Sequence, residues 1–392
     1  MSKTRIVMLI DALRPYGAER VALDLACEIQ RRAAVVLVTY KGNGDQNSGF
    51  APAGVTHVHL HVRGRGLRRL LVTAWMFSRL LLRTRPSAVI GFMPYANTVA
   101  AVCGALARVP VIATEHTVMS IAKYGGRERR LLHFAMRRYL RRVPAIVAVS
   151  HAVKNDLVEE FGAPAERIIT IYDPVNIDRV IESARRGAQE VRKAASPDEL
   201  RLVVVGKLKR AKGHEWALRA LPLLPTEYRL YVVGDGPLLD TLQDEARSLG
   251  VAGRVEFVGW QTDAPAWLAA ADVVWVPSLF EGFGLVLAEA CALGCKVIPA
   301  DSPGLAELAA LLGCDTVPVG DSAALAAATL QATATRGKRT IAAGLRELAP
   351  SVVAERYLDV VARVSQSAGI TSSSAEHNSR DVDSPYLLGQ NH

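Results

Sequence analysis

One stretch limits the fold of this chain more than any other: a buried strand, a glycine turn and a helix follow one another between residues 273 and 294. The strand is the β-branched run Val273–Val276, and the helical pattern ends at Gly294, which suits a left-handed cap. Gly282 and Gly284 lie between them. Such a turn points free backbone amides and the positive end of a helix dipole at one spot. The stretch therefore predicts a phosphate-binding turn in an α/β protein.

Two carboxylates lie on this stretch, Glu281 in the turn and Glu289 eight residues later. A wholly helical path would separate them by roughly 12 Å, about the length of a sugar diphosphate. Glu289 is one helical turn from Leu285 and Leu293, which places it beside the stripe that faces the interior. A buried carboxylate needs hydrogen-bond donors, and ribose hydroxyls would supply them. On spacing alone, a simpler interpretation explains the pair equally well: Glu281 is an acidic residue at a helix start, and Glu289 is an ordinary solvated glutamate.

Apolar β-branched runs alternate with helical patterns along the whole chain, in two halves separated by a charged stretch without strand character. This order predicts an α/β protein with two doubly wound, Rossmann-like parallel sheets that face each other across a cleft. We expect an N-terminal domain at 1–180, a linker at 181–198, a C-terminal domain at 199–350, a helix at 351–364 that could return to the N-terminal domain, and a disordered tail at 365–392.

Three other strand ends carry candidate site residues. Lys207 and Lys212 lie in a glycine-bracketed loop after a strand, which suits a diphosphate leaving group, although a solvated basic turn has the same composition. Gly17 follows the first strand and opens a helix, as a phosphate or substrate turn would. His116 follows the strand that ends at Thr114, at the edge where open α/β sheets bind ligands.

These motifs resemble those of the retaining glycosyltransferases with the GT-B fold, the group built around glycosyltransferase family four. Glu281 and Glu289, with seven residues between them in Phe-Glu-Gly-Phe-Gly-Leu and the helix after it, are similar to that family's paired-glutamate signature. The resemblance implies that Glu281 contacts the donor sugar and that Glu289 holds the ribose. It implies catalytic roles for His116, Glu281 and Lys212, and donor binding by Gly17, Lys207, Lys212, Gly282, Phe283, Gly284 and Glu289.

The sequence departs from the family pattern at several positions. The family has an arginine where Lys207 stands, a second glycine where Ala18 stands and commonly an asparagine where Asp173 stands. Lysine keeps the charge of arginine but loses its bidentate fork. Glu307 resembles the acid that follows the family's downstream glycine turn.

The resemblance implies transfer of a sugar from a nucleotide diphosphate donor, UDP-linked in our prediction, to a hydroxyl group with retained configuration. It implies no cofactor and no metal. Two alternatives stay open. A nucleotide-sugar epimerase of the same fold would share the donor site, and a non-catalytic sugar-nucleotide binding protein docked on a membrane would bind the donor without turnover.

Positive charge is concentrated in the first half of the chain. Residues 1–180 carry 26 Lys and Arg against 13 Asp and Glu, whereas the whole chain has 47 against 38. Two helical stretches, 63–85 and 125–142, interleave arginines with Leu, Trp and Phe. A solvated basic face would explain each stretch, but the two together favour an anionic membrane surface, because each basic residue near anionic lipid contributes about 1 kcal/mol.

The same half is expected to receive a lipid-linked or cell-surface glycan acceptor. No nucleic-acid motif accompanies the charge, so nucleic acid is not an expected partner. The apolar run at the N-terminus is too short for the core of a signal peptide, and no 18-residue apolar stretch occurs. Five cysteines lack CxxC pairing. We therefore expect a cytoplasmic protein that is peripheral on the inner face of the membrane.

Overall fold

The computed structural model describes residues 4–13, 17–42, 52, 54–62, 66–121, 126–193, 199–334 and 342–369. It contains two parallel sheets, one from each half of the chain. The predicted α/β architecture of two doubly wound domains is confirmed.

The N-terminal sheet has seven strands in the order β3-β2-β1-β4-β5-β6-β7, and every pair is parallel. Its inner strands are mostly apolar because helices cover both faces. The order reverses between β1 and β4, so the carboxyl ends of these strands form a ligand-binding edge. The strands are β1 (Arg5–Ile10), β2 (Ala34–Thr39), β3 (Thr56–His59), β4 (Ala88–Phe92), β5 (Val111–Glu115), β6 (Ala145–Ala148) and β7 (Ile168–Thr170).

The C-terminal sheet repeats this winding with five parallel strands in the order β10-β9-β8-β11-β12. The fully buried Trp275 fills its core, and the indole donates a hydrogen bond to Thr329. The order reverses between β8 and β11, the two strands that precede the lysine loop and the paired glutamates. The strands are β8 (Leu200–Val205), β9 (Tyr228–Val233), β10 (Val255–Gly259), β11 (Val273–Val276) and β12 (Val297–Pro299).

Helices cover both sheets. In the N-terminal half they are α1 (Gly17–Gln30), α2 (Gly66–Thr84), α3 (Met93–Ala107), α4 (Gly126–Leu140), α5 (His151–Glu159) and α6 (Ile177–Lys193). In the C-terminal half they are α7 (His214–Ala220), α8 (Leu239–Ser248), α9 (Ala264–Ala270), α10 (Leu285–Ala292), α11 (Leu305–Leu312), α12 (Ser322–Ala334) and α13 (Pro350–Ser367). Within the described residues, every helix is too short or too polar to span a bilayer.

The segments that join the two halves are helical. Most of the predicted linker, 181–198, belongs to α6, which packs on α9 through a Ser183–Asp263 hydrogen bond of 2.9 Å. The last helix, α13, packs on α1 and the N-terminal sheet, with Tyr357 buried in that core. Residues 365–367 of the predicted tail belong to α13, so disorder was wrong for them. Residues 370–392 lie outside the described residues.

Candidate active site

Glu281 lies at the centre of a small polar cluster after β11. Its Oε1 accepts a hydrogen bond from Lys212 Nζ and a second one of 2.8 Å from Ser278 Oγ. The backbone of the turn is held on the other side, where Glu281 N donates to Pro303 O at 3.1 Å. The structure thus brings Glu281 and Lys212, two residues predicted from separate motifs, into direct contact.

The lysine loop is locked against this turn. Leu279 N donates to Ala211 O at 2.9 Å, and an added Cβ at Gly213 would lie 2.0 Å from Pro277 O. Gly213 also has a φ of 65°, so the close approach and the backbone conformation both require glycine. Lys207 stands at the start of the same loop and is exposed. The loop therefore presents its positive charge beside Glu281.

His214 follows this loop and starts α7. Burial and the neighbouring Lys212 lower the pKa of the His214 imidazole to about 4. Both ring nitrogens are buried and lack hydrogen-bond partners among the described residues. The ring is therefore neutral near pH 7, and Lys212 supplies the positive charge here.

Glu289 is buried on α10, as its position beside Leu285 and Leu293 predicts. Its partner is Arg20 on α1 of the other domain, with 3.0 Å between Nη1 and Oε1. Arg20 stands in the Gly17-Ala18-Glu19-Arg20 segment, but no sequence pattern assigned it a role. The estimate of roughly 12 Å between the two glutamates assumed a wholly helical path. The helix begins only at Leu285, so that assumption was wrong.

His116 is buried at the carboxyl end of β5. Its Nδ1 lies 3.1 Å from Asp173 Oδ1, its Nε2 lies 3.1 Å from Thr114 Oγ1, and its ring stacks on Phe92. Burial lowers the pKa of the imidazole, but the carboxylates of Asp173 and Glu115 more than offset this, so the pKa is raised. Asp173, noted only as a departure from the family pattern, is therefore a site residue that sequence reasoning missed.

Gly282 is the point where the two domains touch beside His116. An added Cβ at Gly282 would lie 1.9 Å from the carbonyl oxygen of His116. Gly284 has a φ of 105° and immediately precedes α10, and an added Cβ there would lie 2.5 Å from Leu305. The glycines of the turn thus allow the paired-glutamate segment and His116 to share one small space.

Two other predicted donor residues lie at this domain contact. Phe283 is buried and its ring stacks on Tyr172 of the N-terminal domain, with centroids 5.6 Å apart. Gly17 begins α1, and an added Cβ there would lie 3.2 Å from Leu285 Cδ1. The starts of α1 and α10 therefore meet across the contact.

The arrangement can stabilise a departing anion. Lys212 contributes a positive charge, and the first turn of α10, which follows Gly284, contributes backbone amides and the positive end of its dipole. Glu281 and His116 approach from opposite domains. Such a site suits the cleavage of a bond to a diphosphate.

Two facing parallel-sheet domains with a paired-glutamate turn at their contact define the class of proteins with the GT-B fold. Two family profiles match this chain: Glycosyltransferase Family 4 matches residues 15–179, and Glycosyl transferases group 1 matches residues 199–334. The chain belongs to this family, as the sequence motifs predicted.

Relatives share parts of the sequence. A glycogen synthase of Mycobacterium tuberculosis is 31% identical over 207 residues, which are 51% of this chain and 48% of that protein. The lipopolysaccharide core biosynthesis glycosyltransferase LpsE of Rhizobium meliloti is 40% identical over 100 residues, which are 26% of this chain and 29% of LpsE. The chain thus spans less than half the length of these curated relatives.

A solved structure of HepE from Anabaena in complex with UDP has the same fold. It superimposes with a TM-score of 0.76 at 20% sequence identity, over 92% of this chain and 100% of that chain. The predicted GT-B fold is therefore confirmed.

Proposed function

We propose that this protein is a retaining glycosyltransferase that moves a sugar from a UDP-linked donor to a hydroxyl group of a lipid-linked or cell-surface glycan. One observation carries the proposal: the Gly282 turn, with Glu281 held by Lys212, touches His116 of the other domain. A donor bound at this turn has its sugar between the two domains. An acceptor on the N-terminal domain then reaches the reacting carbon.

Each group has a distinct task in this proposal. Lys212 and the start of α10 neutralise the diphosphate as it leaves. Glu281 orients the donor sugar, Glu289 binds the ribose, and His116 lies on the acceptor side of the reacting carbon. The departing phosphate oxygen receives the proton of the acceptor hydroxyl, so no separate base is needed. The HepE structure contains UDP, which supports a uridine donor.

The acceptor class rests on the surface of the N-terminal domain, because the relatives named above act on different glycans. Three neighbouring helices, α2, α3 and α4, expose large apolar side chains beside arginines. The guanidinium of Arg79 lies 4.8 Å from the ring centroid of Trp75. An anionic lipid surface matches both the charge and the apolar area. The most exposed apolar residues are Leu71, Trp75 and Leu82 on α2, Leu106 on α3, and Leu131 and Phe134 on α4.

Transfer is tested with purified protein, a panel of UDP-sugars and a bacterial glycolipid extract as the acceptor. We expect one UDP-sugar to release UDP only when the acceptor is present, and to label the glycolipid. Lys212→Ala is expected to reduce turnover by about 10²- to 10³-fold, as the loss of a group that stabilises transition-state charge does. Glu281→Ala is also expected to reduce turnover, because it removes both the orientation of the donor sugar and the partner that holds Lys212. An altered sugar from donor alone would instead identify an epimerase, and binding without turnover would identify a non-catalytic binding protein.

Membrane docking is tested by sedimentation with phosphatidylglycerol vesicles and with neutral phosphatidylcholine vesicles. We expect binding to the anionic vesicles that is lost in the double variant Leu71→Ser with Trp75→Ser. Leu223→Ser, which changes an exposed leucine of the C-terminal domain, is the matched control and should bind normally. Equal sedimentation with both lipids would make a soluble acceptor preferable.

A further inference from the structure

The ion pair between Arg20 and Glu289 joins the two domains inside the proposed donor site. The Glu289 side chain is only 7% exposed, whereas that of Arg20 is 30% exposed. A buried carboxylate without a partner carries a large desolvation penalty. Among the described residues, Arg20 is the charged group in contact with Glu289, so it compensates that penalty from the opposite domain.

The helix that carries Arg20 is anchored in the N-terminal domain. One helical turn further along α1, Asp24 accepts hydrogen bonds from Arg179 of α6, one of them 2.9 Å long. Val21, next to Arg20, is buried in the N-terminal core. The guanidinium therefore projects from a helix that is fixed by its core contacts and by a second ion pair.

The contact leaves part of the carboxylate available. Arg20 engages Oε1 of Glu289, and no described residue donates a hydrogen bond to Oε2. An ionised carboxylate has about four acceptor positions, so an arginine on one oxygen leaves the acceptor positions of the other oxygen for hydroxyl donors. Arg20 of the N-terminal domain thus contacts one oxygen of Glu289, and the other oxygen can accept from a ligand bound to the C-terminal domain.

We propose that Arg20 is a positioning residue that aligns Glu289 for the ribose of the donor, so that donor affinity depends on contact between the two domains. This inference rests on the proposed function, which assigns the ribose to Glu289. Nucleotide binding and the closed arrangement of the domains then reinforce each other. Loss of Arg20 leaves Glu289 buried, unpaired and free to rotate.

The test is a double-mutant cycle on UDP affinity, measured by calorimetric titration of the full chain. Arg20→Ala and Glu289→Ala are each expected to weaken UDP binding by at least about tenfold, since each truncates one partner of a buried charge pair. The double variant should bind no more weakly than Glu289→Ala alone. Arg20→Lys, which keeps the charge, should recover part of the affinity. In transfer assays, Arg20→Ala should raise KM for the donor far more than it lowers kcat.

Arg32→Ala is the matched control, because it removes an exposed arginine that pairs with Glu355 away from the cleft. It should leave UDP affinity unchanged. Additive effects of Arg20→Ala and Glu289→Ala would overturn the inference, as would tighter UDP binding by Arg20→Ala or a lower Tm with unchanged UDP affinity. If the wild-type protein bound neither UDP nor any UDP-sugar, the proposed function itself would be wrong.

Discussion

The Glu307 carboxylate of the C-terminal domain accepts a hydrogen bond of 3.0 Å from the backbone amide of His151 in the N-terminal domain. Its second oxygen accepts from Ala152 N at 3.2 Å. These amides belong to the first turn of α5, where Ser150 Oγ caps the helix by accepting a hydrogen bond from Val153 N. The Glu307 carboxylate on α11 therefore caps α5 of the opposite domain. Its negative charge is favourable there, because the N-terminus of α5 is the positive end of the helix dipole.

Removal of this cap should open the cleft. We expect Glu307→Ala to reduce the free energy of unfolding by about 1 kcal/mol, as the loss of a helix cap does. It should also increase the radius of gyration in small-angle X-ray scattering, because a contact between the domains is lost. Glu307→Gln keeps one acceptor oxygen, so its free energy of unfolding and its radius of gyration should lie between those of Glu307→Ala and the wild type. An unchanged radius for Glu307→Ala would show that this contact does not hold the domains together.

Gly282 should tolerate no side chain. An alanine there would place its Cβ 1.9 Å from the carbonyl oxygen of His116, so either the turn or the domain contact must move. We expect Gly282→Ala to reduce transfer by at least about tenfold, because a displacement of about 1 Å in a site can cost two orders of magnitude. Gly253→Ala is the control, since an added Cβ there meets nothing within 4 Å. Equal activities of Gly282→Ala and Gly253→Ala would show that transfer does not depend on the close contact between Gly282 and His116.

Local pattern predicted the parts of this molecule that depend on neighbours in sequence. The run Val273–Val276, the two glycines after it and the apolar stripe around Glu289 specify a strand, a turn and a helix without reference to the rest of the chain. The edge that carries His116 also followed from the sequence, because the carboxyl ends of parallel strands share one side of a sheet.

Partners that meet only when the domains dock could not be predicted in this way. Arg20 reaches Glu289, and Glu307 reaches His151, across more than 150 positions of sequence. No periodicity encodes such pairs. The helix within the predicted linker 181–198 was missed for another reason: the charged pattern hides a buried stripe, which includes Ala184 and packs α6 on its neighbours.

The charge of His116 should depend on Asp173. Their side chains lie 3.1 Å apart, and this carboxylate is the largest influence that raises the pKa of the imidazole against the effect of burial. We expect Asp173→Asn to lower that pKa, because the amide carries no charge to stabilise the imidazolium. Titration of the ring protons by NMR measures the midpoint in both proteins. An unchanged or higher midpoint in the variant would show that Asp173 does not control the charge of His116.

Glu115 lies behind His116 and is fully buried. Its Oε1 accepts hydrogen bonds from Tyr139 of α4 and from Asn97 of α3, the latter 2.8 Å long. Its Oε2 has no partner among the described residues. Burial raises the pKa of Glu115 to about 7, although both hydrogen bonds and His116 oppose the shift. The folded protein therefore binds a proton that the unfolded chain releases near pH 4.5.

Because the folded pKa is the higher one, this group favours the folded state below pH 4.5 and loses that contribution as the pH rises through 7. We expect the wild type to lose about 3 kcal/mol of unfolding free energy relative to Glu115→Gln between pH 4 and pH 8. Urea titrations across this range measure the difference. Tyr139→Phe removes a hydrogen-bond donor that lowers the pKa of Glu115, so the loss of unfolding free energy should occur at a higher pH in this variant. A difference between wild type and Glu115→Gln that stays constant from pH 4 to pH 8 would mean that Glu115 has the same pKa in the folded and unfolded chains.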